Sequence, residues 1–247
     1  MSRFFVGIVL LLSAIQMPLA EEKRKILTGL AAHANKQTIR IKSGETFSLQ
    51  ELHWIQPGKA WEQVLEEKVS LENENFPPLY RVSNRYGDKI GQIYTSSFGW
   101  LQEYWIRKGA AVWSGRGPYP PALRQTLLAA EQKARVNREG GWQHFKVYAA
   151  ENVADLEGRN GFQIVEGVVQ AVRKTGSGTY LNFGLDWKTD FTASVSSRNR
   201  ARFKKLDWKL SALENKWIRV RGIVRSYNGP FMEIVFPEQI EILEEGP

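Results

Sequence analysis

The chain has 247 residues, 43% of them hydrophobic and 24% charged, which suits two small globular domains, and disorder is not the expectation. It contains no cysteine, which excludes disulfides, thiolate nucleophiles and cysteine-based zinc sites. The formal net charge of +8 suits a polyanionic partner such as nucleic acid or anionic lipid.

At the start, Arg3 precedes the apolar run Phe4 to Leu12, and Met17-Pro18-Leu19-Ala20 ends on a small residue before Glu21-Glu22-Lys23-Arg24-Lys25. This is the layout of a cleavable export signal over residues 1–20, so a periplasmic or secreted protein is expected, with no membrane span left after cleavage. A retained anchor is the alternative. From Ile26 the pattern predicts a meander: a strand to Ala34, a strand Thr38 to Lys42, and a strand Glu45 to Leu52. A helix over Ala60–Glu67 and a strand over Lys68–Glu72 follow, and Asn75-Phe76-Pro77-Pro78 breaks the pattern.

The stretch Asn84-Arg85-Tyr86-Gly87-Asp88-Lys89-Ile90-Gly91-Gln92-Ile93-Tyr94 reads as a Tyr-Gly turn feeding a strand. Trp100-Leu101-Gln102-Glu103-Tyr104-Trp105-Ile106-Arg107-Lys108-Gly109 reads as a helix closed by glycine. Ala122 to Arg138 carries apolar residues at helical spacing and ends at Gly140-Gly141-Trp142. Together these stretches resemble the staphylococcal-nuclease (thermonuclease-like) family, with its D-[KR]-Y-G-R strand entry, its W-L-Q-E helix and its terminal helix ending G-x-W. The resemblance implies a barrel of the OB type over residues 21–142.

It also implies a place for each catalytic group. The family holds Ca²⁺ with aspartates from a D-G-D-T turn and a D-x-P-E loop, uses the loop glutamate on water, and neutralises the phosphorane with two arginines. Here the D-G-D-T turn falls on Asn35-Lys36-Gln37-Thr38, the strand arginine on Ser48, the loop on His53-Trp54-Ile55-Gln56, and the Tyr-Gly arginine on Asp88. Gln37, Ser48, His53, Gln56 and Asp88 thus occupy the family positions with no catalytic group among them, and the domain reads as a pseudo-nuclease. Ca²⁺ is expected only where that site is intact, so no cofactor is expected. Glu45 and Glu51 are the nearest acids, and Glu51 is expected at the rim. His33, His53 and His144 are too scattered for a metal spacing. Trp54, Trp61, Trp100, Trp105, Trp113 and Trp142 are expected in the core.

Residues 143–160 read as an interdomain connection, with Gly158-Arg159-Asn160-Gly161 as a turn. Strands are expected at Phe162–Arg173, Thr179–Leu185, Asp190–Ser196, Trp217–Tyr227 and Phe231–Phe236, a helix or loop at Arg198–Leu213, and a closing segment at Gln239–Leu243. This predicts a second OB-like domain over 161–247, so the expected fold class is mainly β with α, two five-stranded OB-like barrels. Arg198, Arg200, Arg202, Lys204 and Lys205 place five cations in eight residues, and Tyr180, Phe183, Trp187 and Phe191 lie on or between its second and third strands. Cations beside stacking aromatics are the means by which OB barrels hold single strands. The expected function is therefore a non-catalytic binding module for single-stranded nucleic acid or another polyanion. A nuclease with a rebuilt site and an envelope protein-interaction factor are the alternatives.

Overall fold

A computed structural model of the chain describes residues 27–72, 83–116 and 119–244. The expected export signal at 1–20 and the Pro77-Pro78 break lie outside the described residues. The architecture is mainly β with a few helices. In the first half the strands are β1 (Leu27–Ala34), β2 (Thr38–Ile41), β3 (Thr46–Ser48), β4 (Leu52–Trp54), β5 (Lys68–Glu72), β6 (Gln92–Thr95), β7 (Gly99–Trp100) and β8 (Ala111–Trp113). Two α-helices accompany them, α1 (Leu101–Arg107) and α2 (Pro121–Val136). One sheet runs β3-β2-β1-β5-β6-β7, and β4 pairs separately with β8.

Local sequence accounts for these elements. Ile39 and Ile41 of β2 are buried while Arg40 between them is exposed, the period-two signature of a half-buried strand. Helix α1 buries Leu101, Gln102, Trp105 and Ile106 along one face. It stops at Gly109, whose φ of +63° favours glycine and whose Cα approaches so closely that an added Cβ would lie 2.1 Å from the Glu139 carbonyl oxygen. Helix α2 opens with Pro121, which needs no amide partner in the first turn.

The second half comprises β9 (Val147–Ala149), α3 (Val153–Leu156), β10 (Gly161–Val168), β11 (Ala171–Lys174), β12 (Gly178–Asn182), β13 (Thr192–Ser196), α4 (Ser197–Lys205), β14 (Trp217–Ser226), β15 (Pro230–Glu233) and β16 (Ile240–Ile242). These strands form one sheet in the order β11-β12-β13-β15-β14-β10-β9, with β16 also on β14. Strands β13 and β15 run parallel, and β10 pairs antiparallel with β14 from Gly161↔Val224 to Val168↔Trp217.

Several expectations need correction. Among the described residues neither large sheet closes on itself, and the sheets have six and eight strands, where two five-stranded barrels were expected. Two expected strands are each divided. Residues 45–52 break after Ser48, where the Leu49 amide turns to the Gln37 carbonyl (2.6 Å). The Phe162–Arg173 strand breaks at Val169 and Gln170, whose amides diverge to the carbonyls of Lys216 (3.0 Å), just before β14, and Asn182 (2.8 Å), at the end of β12. The Ala60–Glu67 helix is a single 3-10 turn over Ala60–Val64, because Leu65 is already extended and Glu66 has φ +72°. The stretch 143–160 carries β9 and α3, and β9 pairs in parallel with β10.

Each half has its own apolar core, one around Phe47, Trp105 and Trp113 and one around Phe191, Phe203 and Val220. A third cluster joins them: Val112, Ala134 and Trp142 from the first half with Phe162 and Ile164 from the second. Of the six tryptophans expected in the core, Trp105, Trp113 and Trp142 are buried, while Trp54, Trp61 and Trp100 are half-buried against it.

Candidate functional site

The five family positions separate into two groups. Gln37, Ser48 and Asp88 remain neighbours: the Gln37 carbonyl accepts from Leu49, Ser48 stands opposite Thr38, and the Ser48 amide donates to the Lys89 carbonyl at 2.7 Å. His53 and Gln56 turn elsewhere. The His53 ring stacks on Phe162 of β10 with centroids 4.3 Å apart. Burial, helped by the charge of Lys36, pushes that imidazole down to about 4. The Gln56 amide donates to the Ala110 carbonyl (3.1 Å), and Gln56 faces a separate cleft beside Trp105, Lys108 and Glu139.

This donor set does not fit Ca²⁺. The two ligand positions hold an amide and a stacked imidazole, whereas a hard cation needs several carboxylate or carbonyl oxygens at once. Asp88, the one acid among the five, accepts from Asn84 Nδ2 at 2.7 Å and serves the Tyr-Gly turn.

Glu51 is not at the rim. It is buried together with Phe47 and Leu49, although Leu49 and Glu51 lie past the end of β3. Its Oε1 accepts from Gln102 Nε2 (2.9 Å) and from the Tyr119 hydroxyl (3.0 Å). Burial pushes the carboxyl up to about 7, against those hydrogen bonds. The Glu45 carboxyl lies at the surface, and the hydroxyl of Ser43 holds it below the usual range. A hydrolytic base on either residue would need access to water and phosphate together, and Glu51 lacks it.

The second sheet presents a more coherent site. Its register places Ala171, Asn182, Thr192, Phe231 and Arg225 in one cross-strand row and Arg173, Tyr180, Ser194 and Glu233 in the next row but one. The row between them, Val172, Leu181, Ala193, Met232 and Val224, points into the core, as the pleat requires. The outer face is thus polar and aromatic where the inner is aliphatic.

Two loops raise walls on this face. Trp187, in the β12–β13 loop, is 50% exposed, and Tyr227, at the β14–β15 hairpin, is 66% exposed. The loops meet at Gly229, where an added Cβ would lie 2.4 Å from the Thr189 carbonyl oxygen. Between them and the sheet lies a groove of about 270 Å³, lined by Arg173, Thr175, Tyr180, Asn182, Trp187, Thr192, Tyr227, Asn228 and Phe231. Tyr227 and Phe231 meet edge to face at 5.6 Å, and the Lys188 ammonium lies 5.8 Å from the Trp187 ring. The Thr192 hydroxyl donates to Asn182 Oδ1 at 3.4 Å on the floor.

Of the binding residues expected from sequence, Tyr180 lines the groove, and Phe183 does not. Phe183 is buried, packed 5.1 Å from the equally buried Phe191, because its strand position faces the core. The α4 cations also divide. Arg200 donates to the carbonyls of Thr175 (2.9 Å) and Gly176 (3.3 Å), and Arg202 to that of Val235 (2.6 Å) while lying over Phe236. Both are anchors, and Arg198, Lys204 and Lys205 remain exposed. Arg173, Tyr227, Asn228 and Phe231 escaped sequence reasoning. The one local hint was an aromatic on either side of the Asn228-Gly229-Pro230 turn.

No family model matches the chain, and no curated protein matches it.

Proposed function

We propose that this chain is an exported, thermonuclease-like protein without a working nuclease site, and that it binds single-stranded nucleic acid, or a polyanion of similar chemistry, on the outer face of its second half. The observation that carries this reading is the groove: exposed Trp187 and Tyr227 stand over Tyr180, Phe231 and a polar floor, with Arg173 at the margin. Nucleobases stack on such rings whatever their sequence, at about 1–3 kcal/mol per base, and cations at the rim meet the phosphates.

Two features support an OB-type reading of this half. Strands β13 and β15 pair in parallel next to the β14–β15 hairpin, and β11, at one end of the strand order, follows directly in the chain on β10, which stands next to the other end. In the first half, the loss of carboxylates at the family positions and the burial of Glu51 favour binding over hydrolysis.

The test is fluorescence anisotropy of labelled oligo(dT) with the protein lacking residues 1–20, at low and high salt, with cleavage scored in the same tubes. Binding that weakens with salt and with Trp187→Ala or Tyr227→Ala, without cleavage, is the expected result. No binding at low salt would remove the reading. Cleavage lost on Glu45→Gln or Glu51→Gln would replace it with the rebuilt nuclease.

A further inference from the structure

Helix α4 does not stand apart from the groove. Its first residue, Ser197, donates its amide to the Ser177 carbonyl at 2.7 Å, at the tip of the β11–β12 hairpin. One turn on, the two Nη atoms of Arg200 donate to the carbonyls of Thr175 and Gly176 in the same hairpin. Thr175 itself lines the groove. At its far end the helix is pinned again, by Arg202 on the Val235 carbonyl and by buried Phe203. The hairpin is therefore a fixed bridge with the groove on one side and the basic helix on the other.

The exposed residues of α4 carry the remaining charge. Arg198, Ala201 and Lys205 recur at helical spacing along one stripe, and Lys204 flanks it. Nine residues at about 1.5 Å each give this stripe a length on the order of 13 Å.

We propose that groove and helix are two parts of one site, spanned by a single strand that stacks bases in the groove, crosses the Thr175–Gly178 hairpin and lays its next phosphates along Arg198, Lys204 and Lys205. Arg200 is a positioning residue in this arrangement, since it holds the hairpin to the helix and its own charge is committed to carbonyls. The inference rests on the groove reading and adds a dependence on strand length beyond the register count that the groove alone gives.

The experiment compares oligo(dT) of about five and about fifteen nucleotides, within the ~4–16 nucleotides that one such fold covers. The wild-type protein is expected to bind the longer strand more than a hundredfold tighter than the five-mer, beyond the roughly tenfold that the extra registers of a fifteen-mer give to a site of about five nucleotides. The triple variant Arg198→Gln, Lys204→Gln, Lys205→Gln is expected to cut that step back to the roughly tenfold that the registers alone supply. Its plot of log K against log salt for the long strand should be shallower by about 2, at about 0.7 for each phosphate that the three cations neutralise in the wild type. Five-mer binding through Trp187 with no step beyond the register factor, or with the full step intact in the triple variant, overturns the extension and leaves the groove standing. A five-mer that fails to bind, or binds equally well to Trp187→Ala, overturns both. Circular dichroism melting of the triple variant confirms that it is folded, since none of the three side chains is buried.

Discussion

Arg221 of β14 and Glu131 of α2 stand ninety positions apart and form a two-bond ion pair, Nη1 to Oε2 at 3.0 Å and Nη2 to Oε1 at 3.1 Å, with the guanidinium fully buried. The pair encloses the backbone of Trp113: Glu131 accepts from its amide (3.1 Å), and Arg221 donates to its carbonyl (2.7 Å). Glu241 of β16 contacts the same guanidinium. Burial alone would push Arg221 down, but the carboxylates of Glu131 and Glu241 hold it above its ordinary value. This network sits beside the third apolar cluster and fastens the two halves together.

The first prediction follows from that seam. Glu131→Ala leaves a buried guanidinium with the Glu241 carboxylate and the Trp113 carbonyl and frees the Trp113 amide, and removing one partner of a buried pair costs about 3–5 kcal/mol. The expected outcome is a lower melting temperature with both halves unfolding in a single calorimetric transition. A variant whose stability matches the wild type, or wild-type protein that melts in two well-separated steps, would show that the seam does not couple them.

Glu51 supplies a pH dependence. Its carboxyl is raised in the folded chain from 4.5 to about 7, so its contribution is fully present below the unfolded value and is lost as pH rises through about 7. The full shift corresponds to an upper bound on the order of 3 kcal/mol. His53 acts in the opposite sense: its folded value of about 4 costs stability as pH falls below its unfolded value of 6.5. Comparison with Glu51→Gln isolates the carboxyl, because the amide oxygen still accepts from Gln102 and Tyr119. Relative to wild type, the variant is expected to gain stability steadily between about pH 4.5 and pH 7 in urea titrations and to hold that gain above pH 7. A constant difference across that range would mean that Glu51 does not titrate there.

These residues also show what the sequence reveals and what it hides. Strand parity put Glu51 with Phe47 and Leu49, and all three are buried, but β3 ends at Ser48 and Glu51 follows in a turn. What parity could not supply was the burial, which depends on Gln102 and Tyr119, 51 and 68 positions away. Arg221 likewise stands in an apolar strand, and only the approach of α2 gives it Glu131. The α4 cations were visible as a cluster, but a cluster does not say which guanidiniums meet carbonyls, and Arg200 and Arg202 do. The groove was half-legible: Tyr180 and Trp187 lie on or beside predicted strands, whereas Tyr227 and Phe231 reach it through the parallel β13–β15 pairing, which no local pattern announces.

Phe183 and Trp187 make a contrasting pair of substitutions. Phe183→Ala empties a core position beside Phe191 and is expected to cost about 3–5 kcal/mol of stability. Trp187→Ala removes a side chain half open to solvent, so its stability should stay within about 0.5 kcal/mol of wild type. For oligonucleotide affinity the order reverses: loss of one stacking ring costs about 1–3 kcal/mol, roughly five- to 150-fold. Measured together by chemical denaturation and anisotropy, a Trp187→Ala protein that binds as tightly as wild type would exclude this ring from the site.

Gly229 tests whether the groove wall is built by contact between two loops. Its φ of +83° disfavours any side chain, and an added Cβ would lie 2.4 Å from the Thr189 carbonyl oxygen, an atom of backbone that has no rotamer to escape by. Gly229→Ala must therefore displace either the β14–β15 hairpin that carries Tyr227 or the β12–β13 loop that carries Trp187. The expected result is a loss of about 1–3 kcal/mol in stability together with weaker oligonucleotide binding, because the two rings no longer face one groove. Gly176→Ala is the control: nothing lies within 4 Å of an added Cβ there, and reducing the freedom of the unfolded chain should leave stability equal or higher by about 0.4–1 kcal/mol. If Gly229→Ala loses stability but keeps full affinity, the wall tolerates displacement and the groove is more adaptable than its close loop packing implies. If it loses neither, Thr189 and the hairpin do not hold each other in solution, and the spacing of Trp187 and Tyr227 must be set from the sheet alone.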